Sequence, residues 1–511
     1  MLHAETGRRI RTDGVQCTLG QFILTPIQTS APLKLDSVDQ YRSPLETRYA
    51  SEPMQALWSD RRRFTTWRRL WLALAESQQA LGLDITDEQL EAIRSHLDDI
   101  DHEAAAAYER KFRHDVMAHV HTLADAAPAA GPIIHLGATS QFCNCNTELL
   151  QLRDALTMIC GKVAAVIIAL GEFADRWKSL PVLGYTHYQP AQPTTVGKRA
   201  TVWAQDFVIM LEELEFRLST LRFRGVKGTT GTQASFMALF DGDEDKVEQL
   251  DRMVTEKMGW SIDRRFAVTG QTYPRVVDAQ ILSTLAAVGA AAHRFATDLR
   301  LLANRRELEE PFEANQIGSS AMAYKRNPMR SERACALARF VMNMPGNALQ
   351  TASVQWFERT LDDSANRRLT LPEAFLALDG TLDILLNVAR GMIVHEPVVT
   401  ANLMAELPFM ATENLLMAAV RAGGDRQELH EVIRTHSMDA AASVKSGGPN
   451  DLLDRLSGEP AFSQLDLGAL LDPSLYVGRA PGQVDAFNRQ VVDEIRHRYG
   501  TSTTESVDLR V

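Results

Sequence analysis

The sequence predicts an all-α protein whose elongated central bundle associates with further copies of itself. Three observations carry this. Apolar residues recur at three- and four-residue spacing over 195–223 (Trp203, Phe207, Met210, Leu211, Leu214, Leu218, Leu221) and over 278–304 (Ile281, Leu282, Leu285, Val288, Ala292, Phe295, Leu299, Leu302). Beside the first row runs a second, Val202, Ile209, Phe216 and Phe223, so that helix has two faces to bury. Strand-type alternation is almost absent. Helices of 20–30 residues span roughly 30–45 Å at 1.5 Å per residue, and a rod apolar on two sides needs neighbours on both.

The elements follow in order. Residues 1–40 lack helical periodicity and read as an extension. From Glu52 to about Asp125 short amphipathic helices succeed one another; "RFTTWRRLWLALAESQQALG" (63–82) ends on Gly82 as a C-cap. "TDEQLEAIRSHL" (86–97) opens with Thr86 and Gln89 in a capping-box pattern. A candidate helix at 161–177 precedes the proline-stiffened loop "LGYTHYQPAQPTTVGKR" (183–199), where Thr194 or Thr195 can cap the next rod. Asn327 and Pro328 delay a further helix, "MRSERACALARFVM", to about Met329, and a last rod covers 372–394. Pro397 and "ELPFM" (406–410) mark the passage into shorter helices, punctuated by turns at 421–425 and 446–450. The domains so read are an extension (1–40), an N-terminal helical domain (41–138), a central long-helix domain (139–394) with a loop at 317–328, and a C-terminal helical domain (395–511).

Composition narrows the function. A chain of 511 residues, 45% hydrophobic and 23% charged, has the balance of a soluble globular protein of two or three domains. With 54 Lys+Arg against 65 Asp+Glu, its net charge of −11 argues against nonspecific nucleic-acid binding. Cysteines at 17, 143, 145, 160 and 335 form no disulfide framework and suit a reducing cytoplasm. No uninterrupted apolar run of about 18 residues is read, so no membrane span is expected.

Against this acidic background "IGSSAMAYKRNPMRSER" (317–333) is a local basic exception, with Lys325, Arg326, Arg330 and Arg333 facing only Glu332. A Gly-Ser-Ser loop running into a helix N-terminus offers N–H groups to an anion, Lys325 adds a point charge, and Arg330 or Arg333 can fork onto a carboxylate or phosphate. His187, among Pro181, Pro190 and Pro193, is either a proton donor or acceptor or a structural histidine. His114, His119 and His121 in "RHDVMAHVH" (113–121), with Cys143 and Cys145, match no zinc spacing; Arg113, His114 and Asp115 suit polar ligand contacts instead. "GVKGTTGTQASF" (225–236) lacks the P-loop arrangement. In "QWFERTLDDSANRR" (355–368) Arg359, Ser364, Arg367 and Arg368 suit a phosphate monoester or a salt-bridged surface.

These segments carry a resemblance. "GSSAMAYKRNP" resembles the signature loop of the fumarase/aspartase superfamily, G-S-S-x-M-P-x-K-x-N-P, and "GATSQFCNCNT" (137–147) and "THYQPAQPTTVGKR" (186–199) resemble two further segments of it. Within the superfamily, "RSPLETRYAS", "RHDVMAHVH", "IHLGATS", "TGQTYPR", "YKRNPMRSER", "SVQWFERTLDDSANRR" and "ELPFMATEN" resemble the adenylosuccinate lyase family, in colinear order from about residue 41 to 485.

The resemblance implies a three-domain fumarase/aspartase-like fold whose central bundle forms the core of a homotetramer, each active site drawing on three subunits. It implies β-elimination of fumarate from adenylosuccinate, giving AMP, and from SAICAR, giving AICAR. By the same resemblance Ser319 is the general base and His187 the general acid, Lys325 and Asn327 hold the substrate carboxylate, and Glu332 orients the catalytic histidine. Arg48, Tyr49, Arg113, His114, Asp115, Thr139, Ser140, Gln271, Arg333, Arg359, Ser364 and Arg368 are implied substrate contacts. No metal, organic cofactor, nucleic acid or membrane is implied. One departure stands out: Ala323 replaces the signature proline, freeing φ without removing a reacting group. An argininosuccinate lyase or fumarase of the same fold is the enzymatic alternative, though Arg359, Ser364 and Arg368 speak for a phosphate those substrates lack. A non-catalytic scaffold is the other, and the presence of Ser319, His187, Lys325 and Glu332 together speaks against it.

Overall fold

Four rods organise the described residues, which are 39–313, 315–500 and 509 of this computed structural model. The chain divides into two units, residues 1–43 and Pro44–Val511. Of the first, residues 39–43 are described and hold neither helix nor strand, so the extension expected over 1–40 lies, but for its last two residues, outside the described residues.

The first rod, Ser140–Arg176, is 37 residues long and begins 21 residues before the expected start at 161. Its first turns bury polar groups by bonding them, which hides the apolar period. Asn146 exchanges two hydrogen bonds with the Gly225 backbone (3.1 and 3.0 Å), and Gln151 donates to Leu57 O (2.8 Å). The second rod, Val196–Thr220, is capped by Thr195, whose hydroxyl accepts from Lys198 N at 3.1 Å. It stops before Phe223, which is buried; of the second apolar row, Ile209 and Phe216 remain 48% and 51% exposed.

The third rod is Val276–Asn304 and the fourth Asp363–Gly391, which runs straight through Pro372, the residue expected to open it. Here too ion pairing replaces apolar spacing, because buried Asp363 and Arg367 fill the first turn. The rods pack on one another and on Met329–Met342. At mid-length Lys162 pairs with buried Asp379 and with Asp383 (2.5 and 2.7 Å). Two of these helices, Ser140–Arg176 and Val276–Asn304, are long and apolar enough to cross a membrane, contrary to the sequence reading, because only Lys162 interrupts residues 155–171. In the fold 72% and 56% of their apolar windows are buried inside the protein.

The proline-rich loop is another correction. Residues Pro181–Thr186 and Gln189–Thr195 form an antiparallel hairpin. A two-stranded ribbon has only edge strands, so Pro181, Pro190 and Pro193 cost it little, but they erase the alternation by which strands are read. Short N-terminal helices precede the bundle as expected. Asp60–Ala80 ends before Gly82 (φ +100°), and Thr86 and Gln89 form the capping box. Beyond the bundle Glu396–Met410 contains both Pro397 and Pro408, and the helices after it end before Gly423 and Gly447, both at positive φ. This region has a small core of its own around Leu415, Leu429, Ile433, Leu452 and Phe462.

Candidate active site

Apart from Arg48 and Tyr49, the candidate residues gather at the two ends of the bundle. At one end lie the N-termini of three rods. Thr139 precedes the first, with Ser140 as its opening residue, and Gln271 Nε2 donates to Thr139 Oγ1 at 3.1 Å. Arg359 donates to Gln271 Oε1 at 2.9 Å, and the Gln141 amide, turned to satisfy its neighbours, accepts both Arg359 Nη atoms at 3.0 and 3.1 Å. Gly270 makes this approach possible: a Cβ there would stand 2.6 Å from Glu358 O.

Arg368, 51% exposed, pairs with Asp115 at 2.8 Å. Asp115 opens the helix Asp115–Ala126, with His114 as its N-cap, Nδ1 accepting from Met117 N at 3.3 Å. Arg113, at φ 55°, turns the chain between two helices. Burial alone would raise the Asp115 carboxyl, yet Arg63, the Val116 N–H and Arg368 hold it below the ordinary range. Arg63, which the sequence reading did not single out, also reaches Asp115 (3.3 Å) and Asn144 (3.0 Å).

Behind these groups runs a buried network. Arg275 binds Asp363 at 2.8 Å, and Arg367 binds Asp278 and Glu148 at 2.7 and 2.8 Å. Arg367 is therefore a structural residue, fully engaged by its own carboxylates. A small cavity of about 20 Å3 opens among Arg63, Gln141, Arg359, Ser364 and Arg368. A larger one of about 610 Å3, lined by Thr229, Gln271 and 356–361, carries Trp356 and Phe357, 72% and 98% exposed.

Of the groups weighed as metal ligands, His114 is the helix cap beside Asp115, while others sit apart from it. His119 stacks on Phe64 in the N-terminal helices, where burial lowers it to about 4, and Cys143 and Cys145 are in the core. The glycine-rich 225–236 segment is anchored by Lys227 on buried Asp251 at 2.7 Å.

At the other end the loop 317–328 folds on itself. Ser319 Oγ accepts from Met322 N (3.1 Å) and Ala321 N (3.4 Å), and Asn327 Nδ2 donates to Gly318 O at 2.8 Å. A Cβ at Gly318 would meet Lys325 O at 2.2 Å, so only glycine lets the loop close. Lys325 is exposed. Two expectations change here. Arg330 is buried and committed to Pro311 O, Asn387 and Glu313 (2.9, 2.9 and 2.5 Å), so it meets no substrate. The N–H groups of Arg330 and Ser331 already serve the Glu310 carboxylate at 2.9 and 3.0 Å, which leaves this helix N-terminus filled from within. The groups left open to an anion here are the loop itself and side chains such as Lys325, with Arg333 half-buried on the helix beyond.

His187 also lies at this end, since Arg305 at the close of the third rod stacks on Tyr185 of its hairpin at 5.1 Å. With Tyr188 it forms the two-residue turn, both at positive φ (52° and 58°). Such turns normally use Asn-Gly, so bulky residues here cost roughly 1–2 kcal/mol each. The strain projects an exposed imidazole at the hairpin tip. Glu332 is exposed on the first turn of Met329–Met342, and among the described residues no hydrogen bond joins it to His187 within one chain.

The third rod separates the ends by its 29 residues, about 43 Å at 1.5 Å per residue. One chain thus joins Thr139, Gln271 and Arg359 into one contact network, with Arg368 and Asp115 in a second network beside it. It keeps Ser319, Lys325, Asn327 and His187 at the far end. Arg48 and Tyr49 belong to neither: Tyr49 O packs on Gly380, partway along the fourth rod.

Comparison with known proteins places the chain in a family. Residues 46–343 match a family described as Lyase, and residues 408–487 match Adenylosuccinate lyase C-terminus. The chain is 52% identical to an adenylosuccinate lyase from Schizosaccharomyces pombe over 484 residues, 93% of this chain and all of that one. It is 54% identical to one from Saccharomyces cerevisiae over 461 residues, 89% of this chain and 95% of that one. In fold it resembles the 3-carboxy-cis,cis-muconate lactonizing enzyme from Pseudomonas putida, with a TM-score of 0.75 at 23% identity over 89% of this chain and 99% of that one. A helical lyase fold, matched nearly end to end at more than half identity, identifies the chain as a member of the adenylosuccinate lyase family.

Proposed function

We propose that this chain eliminates fumarate from adenylosuccinate and from SAICAR, as a homotetramer whose sites combine the two bundle ends of different chains. The observation that carries the reading is the arginine-rich end. Arg359, Arg368 and Ser364 stand around a cavity, Arg359 braced by amide oxygens and Arg368 by Asp115, as a phosphate monoester requires and a simple dicarboxylate does not. The opposite end supplies the chemistry. Ser319 removes the Cβ proton beside a carboxylate; the two N–H groups that already point at Oγ favour its alkoxide. Lys325 and Asn327 hold the carboxylate as negative charge grows, and His187, oriented by Glu332, protonates the departing nitrogen. Arg48, Tyr49, Arg113, His114, Asp115, Thr139, Ser140, Gln271 and Arg333 complete the substrate contacts.

The roughly 43 Å between the ends supports sharing, and Ile209 and Phe216, half exposed on the second rod, are apolar surface for a neighbouring rod. We place domain boundaries near 138 and 394, and the separate C-terminal core supports the second of them. Buried free thiols at Cys143, Cys145, Cys160 and Cys335 suit the cytoplasm, where we locate the enzyme. The test is direct: the absorbance change of adenylosuccinate with the purified protein, expected to show turnover to AMP and fumarate. Turnover of argininosuccinate or malate, with adenylosuccinate untouched, would overturn the reading.

A further inference from the structure

We propose that Arg63 is a further specificity-determining residue, a third guanidinium that joins Arg359 and Arg368 on the phosphate of the substrate. This rests on the phosphate reading above and goes beyond it, because no motif points to Arg63. The argument begins with charge balance. The back layer, Arg275 and Arg367, is outnumbered by its own carboxylates, Glu148, Asp278 and Asp363. The front layer is not: among the described residues the only direct ion pairs of Arg63, Arg359 and Arg368 are those of Arg63 and Arg368 with Asp115, with Glu148 and Asp60 acting on Arg63 from farther away. Arg359 is otherwise held by amide oxygens, and Arg63 by that of Asn144. Over both layers five guanidinium groups meet four carboxylates, an excess of one positive charge on the front side of the cavity, which a phosphate monoester of about −1.5 to −2 would more than neutralise.

Geometry places Arg63 in this layer. It lines the same cavity as Arg359, Ser364 and Arg368. Its guanidinium lies over the Trp67 ring at 4.9 Å, which fixes its direction, and its side chain is only 23% exposed. Asp115 Oδ2 accepts from Arg63 at 3.3 Å and from Arg368 at 2.8 Å, so one oxygen serves two guanidinium groups and satisfies Arg63 the less well. Burial, followed by repulsion from Arg368, lowers the proton affinity of Arg63, although Asp115, Glu148 and Asp60 oppose the shift. A bound phosphate would relieve both.

The alternative is that Arg63 merely props Asp115, and the two roles separate on substrate. Arg63→Ala should raise KM for adenylosuccinate at least about tenfold with kcat within about twofold, while the dephosphorylated succinyl nucleoside changes by less than about twofold. Inorganic phosphate should also inhibit the variant more weakly than the parent. Arg63→Lys should recover part of the loss, and Arg63→Gln, which keeps a donor toward Asp115, carries the test if the alanine variant does not fold. Equal losses on both substrates for Arg63 variants, with Arg359→Ala still selective for the phosphorylated one, would make Arg63 a prop and overturn this inference alone. If Arg359→Ala and Arg368→Ala are equally blind to the phosphate, the phosphate reading falls and takes the inference with it.

Discussion

The two ends of the bundle are built in opposite ways. At the arginine end side chains are held before any substrate arrives: Gln271 ties Thr139 to Arg359, and Asp115 ties Arg63 to Arg368. At the loop end the backbone bonds to itself, while Lys325, His187 and Glu332 are exposed and make no side-chain hydrogen bond or ion pair among the described residues. Recognition of a fixed anion benefits from groups locked in place. Proton transfer needs groups that can be brought to the substrate and then withdrawn. On the proposed function, the difference teaches that each chain carries a finished half of a binding site and an unfinished half of a reaction.

The comparison breaks most sharply under substitution at the loop end. Ser319→Ala and His187→Ala should each lower kcat by at least about 10²-fold with little change in substrate affinity, since acid–base groups supply about 10²–10⁴. Near-normal kcat in steady-state assays of Ser319→Ala would mean the base lies elsewhere. The arginine end should answer in KM instead. Arg359→Ala or Arg368→Ala should raise it roughly 10- to 150-fold, the equivalent of about 1.5–3 kcal/mol for a charged hydrogen bond, and leave the dephosphorylated analogue nearly unaffected. An unchanged ratio between the two substrates would count against the phosphate assignment.

Between the ends the rods themselves carry a pH-sensitive charge. Burial pushes the Asp383 carboxyl up to about 6, with Lys162 opposing and Asp379 adding to the rise. A folded pKa above the unfolded value of about 3.9 means this group's contribution to stability is full below about pH 4 and lost as pH climbs through about 6. Asp383→Asn should therefore gain stability relative to the parent from pH 4 to 7, by at most about 3 kcal/mol at 1.36 kcal/mol per pKa unit. His119 and His135, both lowered to about 4 by burial, act in the opposite sense in parent and variant alike, so the difference between their denaturation midpoints is the readout. A difference that does not change with pH would mean Asp383 ionises normally.

The smallest effect concerns Ala323. It occupies the second position of the turn closed by Lys325 N to Met322 O at 3.0 Å, where proline is favoured, and its own N–H makes no hydrogen bond among the described residues. Ala323→Pro should stiffen the loop by about 0.4–1 kcal/mol and raise kcat by no more than about fivefold. A tenfold fall would show that the turn cannot take proline.

Much of this was legible in the residues. Apolar spacing located the second and third rods to within about three residues, because their buried faces are built from Leu, Ile, Val, Phe and Ala. It missed the first 21 residues of the Ser140–Arg176 rod, where Asn146 and Gln151 are buried by hydrogen bonding, and the first turns of Asp363–Gly391, where ion pairs do the same. The hairpin escaped because its prolines suppress alternation. Motifs nominated the candidate residues, but not which of them share an end. Arg63 was missed because the helix carrying it begins "DRRRF", where one arginine looks like the next until Asp115 is in place.

The central claim is that the loop end of one chain completes the arginine end of another. It is tested most directly with two crippled proteins, Ser319→Ala and the double variant Arg359→Ala/Arg368→Ala, dissociated, mixed and reassembled, with hybrid composition confirmed by mass. If the ends meet between chains, some sites in each hybrid combine an intact Ser319 with intact arginines, and activity at low substrate should rise well above the sum of the parents and depend on the mixing ratio. If confirmed hybrids stay as inactive as their parents, Ser319 and the arginines serve the same site from one chain, and the shared-site account is wrong.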